Sequence, residues 1–265
     1  MIRRFISSLG YFSEPSFIIV GAQKAGTSSL YQNLAQHPQL VPALTKEIHY
    51  FDNVKINFGD TSNYHKFFPL PHKLYKNKLT FEATPSYLYH PLAAERIAQY
   101  KPNIKIIAII REPISRAFSA YSMYSNFQQS QSSHKRKRSE RRTFKEIVEK
   151  EISNWESTNW YNNPWGYIRR GIYFDQVEKY LYHFTRDQIL ILDYSSYVNH
   201  FETTMKRIAL FLEIDFRFKF ENRKQNSTKY FSEPDPDIID YLKSFYKPFN
   251  DRLFESIEER FDWGY

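Results

Sequence analysis

Apolar residues along this chain fall into short unbroken runs, set between longer stretches where they recur every three or four positions. The runs are Phe17 to Val20 followed by Gly21, Ile104 to Ile110 (IKIIAII), and the ILILD segment at 189–193. Unbroken apolarity over so few residues suits strands buried on both faces of a parallel sheet, because a half-solvated strand would alternate. A further short strand is expected in KLTFEATPSYLYHP, ending near Glu82, where a proline-broken loop takes over. The intervening stretches read as helices. Leu30, Tyr31, Leu34 and Ala35 keep helical spacing until Pro38. Pro91 opens a helix through Tyr100, and Pro113 opens one carrying Ser115, Phe118, Ser119 and Tyr121. Thr143 with Glu146 forms a capping box for a helix to about Ser153. Further helices are expected from about Ile172 to Phe184, from a cap at Asn199 with Glu202 to about Leu212, and from Asp235 and Pro236 to the terminal FDWGY. NYHKFFPLP suits one helical turn ended by Pro69. Between Pro38 and Asp52 the prolines forbid a long helix, and Glu47, His49 and Phe51 alternate with Ile48 and Tyr50, which predicts a short extended piece with Glu47 and His49 on one face. Strand and helix alternate throughout, the signature of an α/β fold with a central, mainly parallel sheet flanked by helices.

Composition narrows this further. A chain of 265 residues with no linker-like segment suits a single domain over 16–265, preceded by a loosely held arm at 1–15. The absence of cysteine excludes disulfides, thiolate metal sites and cysteine nucleophiles. No apolar run approaches the roughly 20 residues that span a bilayer, and the opening MIRRFISSLGYFSEPSF has too short an apolar stretch for a signal peptide, so a soluble, cytoplasmic protein is expected. The net charge is +8, and the HKRKRSERR segment from His134 to Arg142 supplies most of it with six Lys/Arg against one Glu. Its surroundings, about 126–142, are poor in apolar residues and read as a basic flexible insertion.

The candidate chemistry begins where the first strand gives way to its helix. Gly21, Ala22, Gln23, Lys24, Ala25 and Gly26 make the turn, and Thr27, Ser28 and Ser29 follow. Such a turn leaves backbone N–H groups unpaired at a helix start, where the helix dipole also favours an anion, so it is a cradle for a phosphate. A nucleotide-triphosphatase loop would put lysine directly after the second glycine; here Thr27 stands there and the lysine lies inside the loop at position 24. Arg111, at the carboxyl end of a parallel strand, and Ser119, in the next helix, lie where ligands bind in open α/β sheets. Glu47 and His49, with Lys46 adjacent, suit general base work. No cluster of carboxylates or histidines has metal-ligand spacing, so no metal is expected. Two other readings share parts of this pattern. A nucleoside or small-molecule kinase would use the loop but should show the GK[ST] order, and a non-enzymatic module binding an anionic polymer would use only the basic run.

Taken in order, GAQKAGTSSL, KEIHYFD, FEATPSYLYHP, IIAIIREPISRAFSAY, RGIY and the terminal FDW resemble the sulfotransferase family, particularly its heparan sulfate branch and bacterial relatives, from about residue 16 to residue 263. The resemblance implies a P-loop-like, three-layer fold. It also implies transfer of a sulfuryl group from 3′-phosphoadenosine 5′-phosphosulfate to a hydroxyl or amine acceptor, with adenosine 3′,5′-bisphosphate as product. By that resemblance Gln23, Lys24, Ala25, Gly26, Thr27, Ser28 and Ser29 hold the 5′-phosphosulfate, Lys24 being the catalytic lysine. Arg111 and Ser119 hold the 3′-phosphate, and Glu47 is the catalytic base with His49 beside it. The acceptor class implied is a glycan, which the basic run would suit if it were anionic, and no nucleic acid is expected. The chain departs from the family pattern at Ala83, where animal heparan sulfate enzymes often carry lysine. It departs again in RKQNSTKYFSEP, which lacks the family's glycine and cysteine; Arg223 or Lys229 is the cation there expected to approach the nucleotide. The aromatic segment from Trp155 to Tyr167 is a candidate for stacking on sugar rings.

Overall fold

The computed structural model describes residues 2–53, 60–74, 78–154, 166–223 and 234–265. In chain order its elements are α1 (Ile2–Ser8), β1 (Phe17–Gly21), α2 (Thr27–Leu34), β2 (Leu40–Pro42), α3 (Ser62–His65), β3 (Leu79–Ala83), α4 (Ala93–Tyr100), β4 (Lys105–Ile110), α5 (Pro113–Asn126), α6 (Ser133–Lys137), α7 (Phe144–Ser153), α8 (Tyr173–His183), β5 (Ile189–Asp193), α9 (Tyr194–Asn199), α10 (Phe201–Leu212) and α11 (Pro236–Ile257). They divide into two units, one comprising residues 1–110 and 179–225, the other 111–178 and 226–265.

The first unit holds a five-stranded sheet of order β2-β3-β1-β4-β5, every described pair parallel. All five residues of β1 and all five of β5 are buried, as their unbroken apolar runs require. Phe17 and Ile19 of β1, Phe81 and Ala83 of β3, Ile107 and Ile109 of β4, and Leu190 and Leu192 of β5 point to one face. There they pack against Leu30, Tyr31 and Leu34 of α2, Tyr197 of α9, and Met205, Ile208 and Leu212 of α10. Ile18 and Glu82 are register partners on the opposite face, where Glu82 meets Tyr64 of α3. The opening residues, expected as a loose arm, contain α1 instead. Arg3 donates to the Phe68 carbonyl, Arg4 pairs with Asp60 at 3.1 Å, and Phe12 stacks on His65 at 4.0 Å.

The second unit is helical and has its own core. Ile114, Ala117, Phe118 and Tyr124 of α5 pack with Phe144, Ile147 and Val148 of α7, with Tyr167, Ile168 and Ile172, and with Ile238, Leu242 and Tyr246 of α11. The predicted capping box forms: Thr143 Oγ1 accepts from the Glu146 N–H, and the Glu146 carboxylate accepts from the Thr143 N–H.

Three local expectations are corrected. Residues 126–142, expected as a flexible loop, begin with the last residue of α5 and pass through a 3-10 turn at Phe127–Gln129 into α6. The Ser132 hydroxyl caps α6, and the run is closed by buried Glu140, which takes both the Nε and Nη2 donors of Arg142. Asn199 does not cap α10; it ends α9, and its amide bonds Ser195. The segment around Glu47 is not extended, for reasons that belong to the site.

Candidate active site

β1 delivers the chain into the turn at 22–26. The Ala25 N–H returns to the Ala22 carbonyl, and Leu30 is the first residue of α2 whose N–H closes a helical turn, onto Gly26. Gly26 caps α2 with φ 90° and supplies no side-chain bond. Only glycine suits the position, because a Cβ there would lie 2.9 Å from the Tyr194 ring and the φ itself is left-handed. The amides at the start of α2 therefore have neither an intrahelical acceptor nor a side-chain cap, and this is the arrangement that holds a phosphate. Lys24, at the crown of the turn, takes φ 68°.

The sequence placed Thr27, Ser28 and Ser29 together as hydroxyl donors, and the structure separates them. Ser29 donates to the Arg223 carbonyl at 2.9 Å and shares a 3.1 Å hydrogen bond with the Tyr197 hydroxyl, so its Oγ is committed away from the turn. It belongs to a row on α2 that grips the chain at 221–223. The Asn33 side-chain Oδ1 accepts from the Arg223 N–H, while Gln36 exchanges two hydrogen bonds with the backbone of Glu221. Arg223 is thus brought to α2 by its backbone, but its guanidinium pairs with exposed Glu221 at 2.8 Å. Lys229 lies outside the described residues, as do residues 155–165 of the aromatic segment.

Glu47 comes to the carboxyl end of the sheet through its backbone: its N–H donates to the Ala83 carbonyl at 3.0 Å, and Ala83 is the register partner of Ile19 in β1. Glu47 has φ 62° and His49 φ 55°, so the predicted alternation is produced by two left-handed residues and not by a strand. The outcome is nevertheless a shared side. Lys46 Nζ sits 2.6 Å from Glu47 Oε1, His49 Nε2 lies 3.8 Å from Glu47 Oε2, and His49 Nδ1 is 2.8 Å from Asp52 Oδ2. The Ser86 hydroxyl donates to the same Asp52 oxygen. The electrostatics follow from this order. His49 and then Lys46 hold Glu47 down to about 2, against the opposing pull of burial. Asp52 and then Glu47 push His49 up to about 10, so its ring is an imidazolium at neutral pH. Burial would raise Asp52, but His49 and Ser86 outweigh it and the carboxyl stays below its usual range.

One residue beneath this edge is Glu82, which is fully buried. Its Oε1 accepts from Tyr64 at 2.6 Å and Tyr87 at 3.3 Å, and its Oε2 from Thr84 at 2.7 Å. Burial pushes this carboxyl up to about 7, with the three hydroxyls pulling the other way. Sequence reasoning missed Asp52, Ser86, Glu82 and Tyr87. Asp52 had a signal in its place three residues after His49 in EIHYFD; the others come from a strand and a turn that meet this segment only in the folded chain.

Arg111 and Ser119 belong to the helical unit. Arg111 follows β4 directly, and its backbone is pinned by Tyr173, whose hydroxyl donates to the Arg111 carbonyl at 2.8 Å. Glu112 then caps α5 by accepting from the N–H groups of Ile114 and Ser115, with Pro113 in the first turn and the Tyr265 hydroxyl on Glu112 Oε1. Ser119 is buried on α5. Among the described residues no group of three or more His, Asp or Glu is placed to hold a metal, and no helix is long and apolar enough to cross a membrane.

A parallel α/β sheet with a glycine-capped turn into a helix at its carboxyl edge defines a P-loop-like protein. The family model for the sulfotransferase domain matches residues 14–240, and the chain belongs to that family and is a sulfotransferase enzyme. It is 27% identical to heparan sulfate glucosamine 3-O-sulfotransferase 5 of Homo sapiens, over 94% of this chain and 74% of that protein. It is 28% identical to bifunctional heparan sulfate N-deacetylase/N-sulfotransferase 4 of Mus musculus, over 78% of this chain and 23% of that one. The crystal structure of a sulfotransferase from Alicyclobacillus acidocaldarius matches the fold with a TM-score of 0.73 at 28% identity, covering 95% of this chain and 99% of that chain.

Proposed function

We propose that this enzyme moves the sulfuryl group of 3′-phosphoadenosine 5′-phosphosulfate to a hydroxyl or amine of a glycan, with Lys24 and Glu47 as the catalytic side chains. One observation carries the assignment of residues. Five described residues other than glycine have positive φ: Lys24, Glu47, His49, Glu213 and Glu258. Glu213 and Glu258 have an ordinary reason, since they are the C-caps of α10 and α11. Lys24, Glu47 and His49 have no such reason, and strained backbone persists where the surrounding structure holds a side chain in a required place.

The donor, when bound, supplies an activated sulfuryl group on a phosphate leaving group. The residues present fit it: the uncapped amides at the start of α2, with the Thr27 and Ser28 hydroxyls, would hold the 5′-phosphate. Lys24 would neutralise the charge that grows on the leaving oxygen. Glu47, held near 2, is ionised at any working pH and so is always in its proton-accepting form. Sulfuryl transfer resembles phosphoryl transfer, whose loose transition state leaves the protein mostly to position groups and stabilise charge. So weak a base suits that chemistry, because the acceptor proton need leave only after the bond to sulfur has begun to form. His49 keeps Glu47 aimed and charged. Arg111 and Ser119 are assigned the 3′-phosphate. The glycan acceptor rests on the heparan sulfate enzymes to which the chain is similar.

Lys24→Ala is expected to lower turnover about a hundredfold to a thousandfold, the usual loss when one transition-state charge partner is removed. Label transfer from the donor to a glucosamine-containing oligosaccharide measures it. Near-normal turnover in that variant would overturn the mechanism. Calorimetry should also show binding of adenosine 3′,5′-bisphosphate in preference to ATP with magnesium.

A further inference from the structure

Glu82 has no place in the chemistry just described, yet it is fully buried one residue from the backbone position that holds Glu47. We infer that Glu82 is a positioning residue for the Glu47–His49 pair, acting through the Tyr87 hydroxyl on the backbone of Tyr50 and Phe51; the inference rests on the catalytic reading of that pair.

The argument is one of donors and acceptors. A carboxyl oxygen that carries no proton only accepts, whatever the other oxygen holds. The single proton of Tyr87 is therefore drawn to Glu82 Oε1 at 3.3 Å, and the hydroxyl's lone pairs are left to accept from the Tyr50 N–H at 2.8 Å and the Phe51 N–H at 3.4 Å. The Tyr50 N–H belongs to the peptide that follows His49, whose φ of 55° is unfavourable for a residue with a Cβ. The next carbonyl along, that of Phe51, takes the Arg96 guanidinium at 2.8 Å. The backbone that follows His49, which aims its ring at Glu47 and Asp52, is thus clamped at two points, and the Tyr87 clamp depends on a fixed acceptor behind it. Burial pushes Glu82 up to about 7, with the hydroxyls of Tyr64, Thr84 and Tyr87 pulling the other way, and in either protonation state Oε1 can remain the oxygen that accepts from Tyr87.

Tyr64 provides the control. Its hydroxyl donates to the same oxygen, Glu82 Oε1, at 2.6 Å, and it is as fully buried as Tyr87. It supports Tyr50 only through its ring, stacked at 4.6 Å, which phenylalanine would keep. Tyr64→Phe and Tyr87→Phe each remove one buried hydroxyl from one carboxylate, but only the second unclamps the turn.

The test compares these two variants with Glu82→Leu, which removes the acceptor behind Tyr87. Tyr87→Phe should lower kcat about tenfold to a hundredfold, the scale of an ångström-sized misplacement, with affinity for adenosine 3′,5′-bisphosphate unchanged within about twofold. Tyr64→Phe should keep kcat within about threefold of the wild type, whereas Glu82→Leu should share the loss seen in Tyr87→Phe, and a wild-type kcat in folded Glu82→Leu would overturn the role of Glu82. A second readout needs no turnover: the His49 ring, faced by Glu47, Asp52 and the Ser86 hydroxyl, is followed by NMR titration. It should stay protonated through neutral pH in the wild type and in Tyr64→Phe, and titrate nearer the ordinary imidazole range in Tyr87→Phe. Equal kcat losses in the two tyrosine variants, or an unmoved His49 titration in Tyr87→Phe, would overturn the inference. A wild type that transfers no sulfuryl group would break the catalytic reading instead, and the His49 titration would still decide the clamp.

Discussion

Glu47 and Glu82 are tied to neighbouring backbone positions at one strand end, and the protein tunes them in opposite directions. Glu47 is half exposed and held near 2, whereas Glu82 is fully buried and pushed to about 7. The first is surrounded by charge, with Lys46 and an imidazolium in reach; the second has only three neutral hydroxyls. Charged partners outweigh the desolvation of Glu47, and neutral donors cannot outweigh the complete desolvation of Glu82, because removing a carboxylate from water costs more than neutral hydrogen bonds return. Exposure and a ring of charge suit a carboxylate that must meet a substrate. Burial and hydroxyls suit one that must stay where it is.

The largest effect expected from breaking this contrast is in rate. Glu47→Gln keeps the shape but cannot take a proton, and should lower kcat by about two to four orders of magnitude while the affinity for adenosine 3′,5′-bisphosphate survives. Loss of nucleotide binding in that variant would make Glu47 a structural residue. Next comes stability. Glu82→Leu leaves the Tyr64, Thr84 and Tyr87 hydroxyls buried without their acceptor, at about 1–3 kcal/mol each, so urea unfolding should show a loss of at least about 3 kcal/mol.

The smallest effect is a pair of slopes with pH, and their signs differ. Glu82, raised in the folded state, holds its proton where the unfolded chain has released it, so its contribution to stability falls as pH rises from about 4.5 to about 7. Glu47, lowered in the folded state, contributes fully above about 4.5, and that contribution is lost as pH falls toward 2. Unfolding measured against pH should therefore show the stability difference between the wild type and Glu82→Gln drifting between about pH 4.5 and about 7. The difference between the wild type and Glu47→Gln should stay level there and close only in acid.

What the sequence determined by itself is whatever depends on near neighbours. The apolar runs of β1, β4 and β5 declared buried parallel strands because burial on both faces leaves no polar position. The capping box at Thr143 and Glu146 was legible because both partners lie within one helical turn. The glycine-capped turn into α2 was legible because Gly26 and the start of α2 are consecutive. β2 was not: its three residues include a proline and gain their strand character from parallel pairing with Leu79, Thr80 and Phe81 of β3. The basic run reads as a loop because it is poor in apolar residues, while α6 is set by a Ser132 cap that composition does not weigh.

Only the tertiary structure decided the site's electrostatics. Tyr64 reaches Glu82 from 18 residues away, Ser86 reaches Asp52 from 34, and Ser29 is turned to Arg223 across 194. The left-handed backbone at Glu47 and His49 is likewise invisible locally, since both residues prefer right-handed or extended conformations and are held otherwise by Ala83 and Tyr87. A pKa is set by the groups around the carboxylate in space and by how much water is excluded. Neither is written in the spacing of residues along the chain.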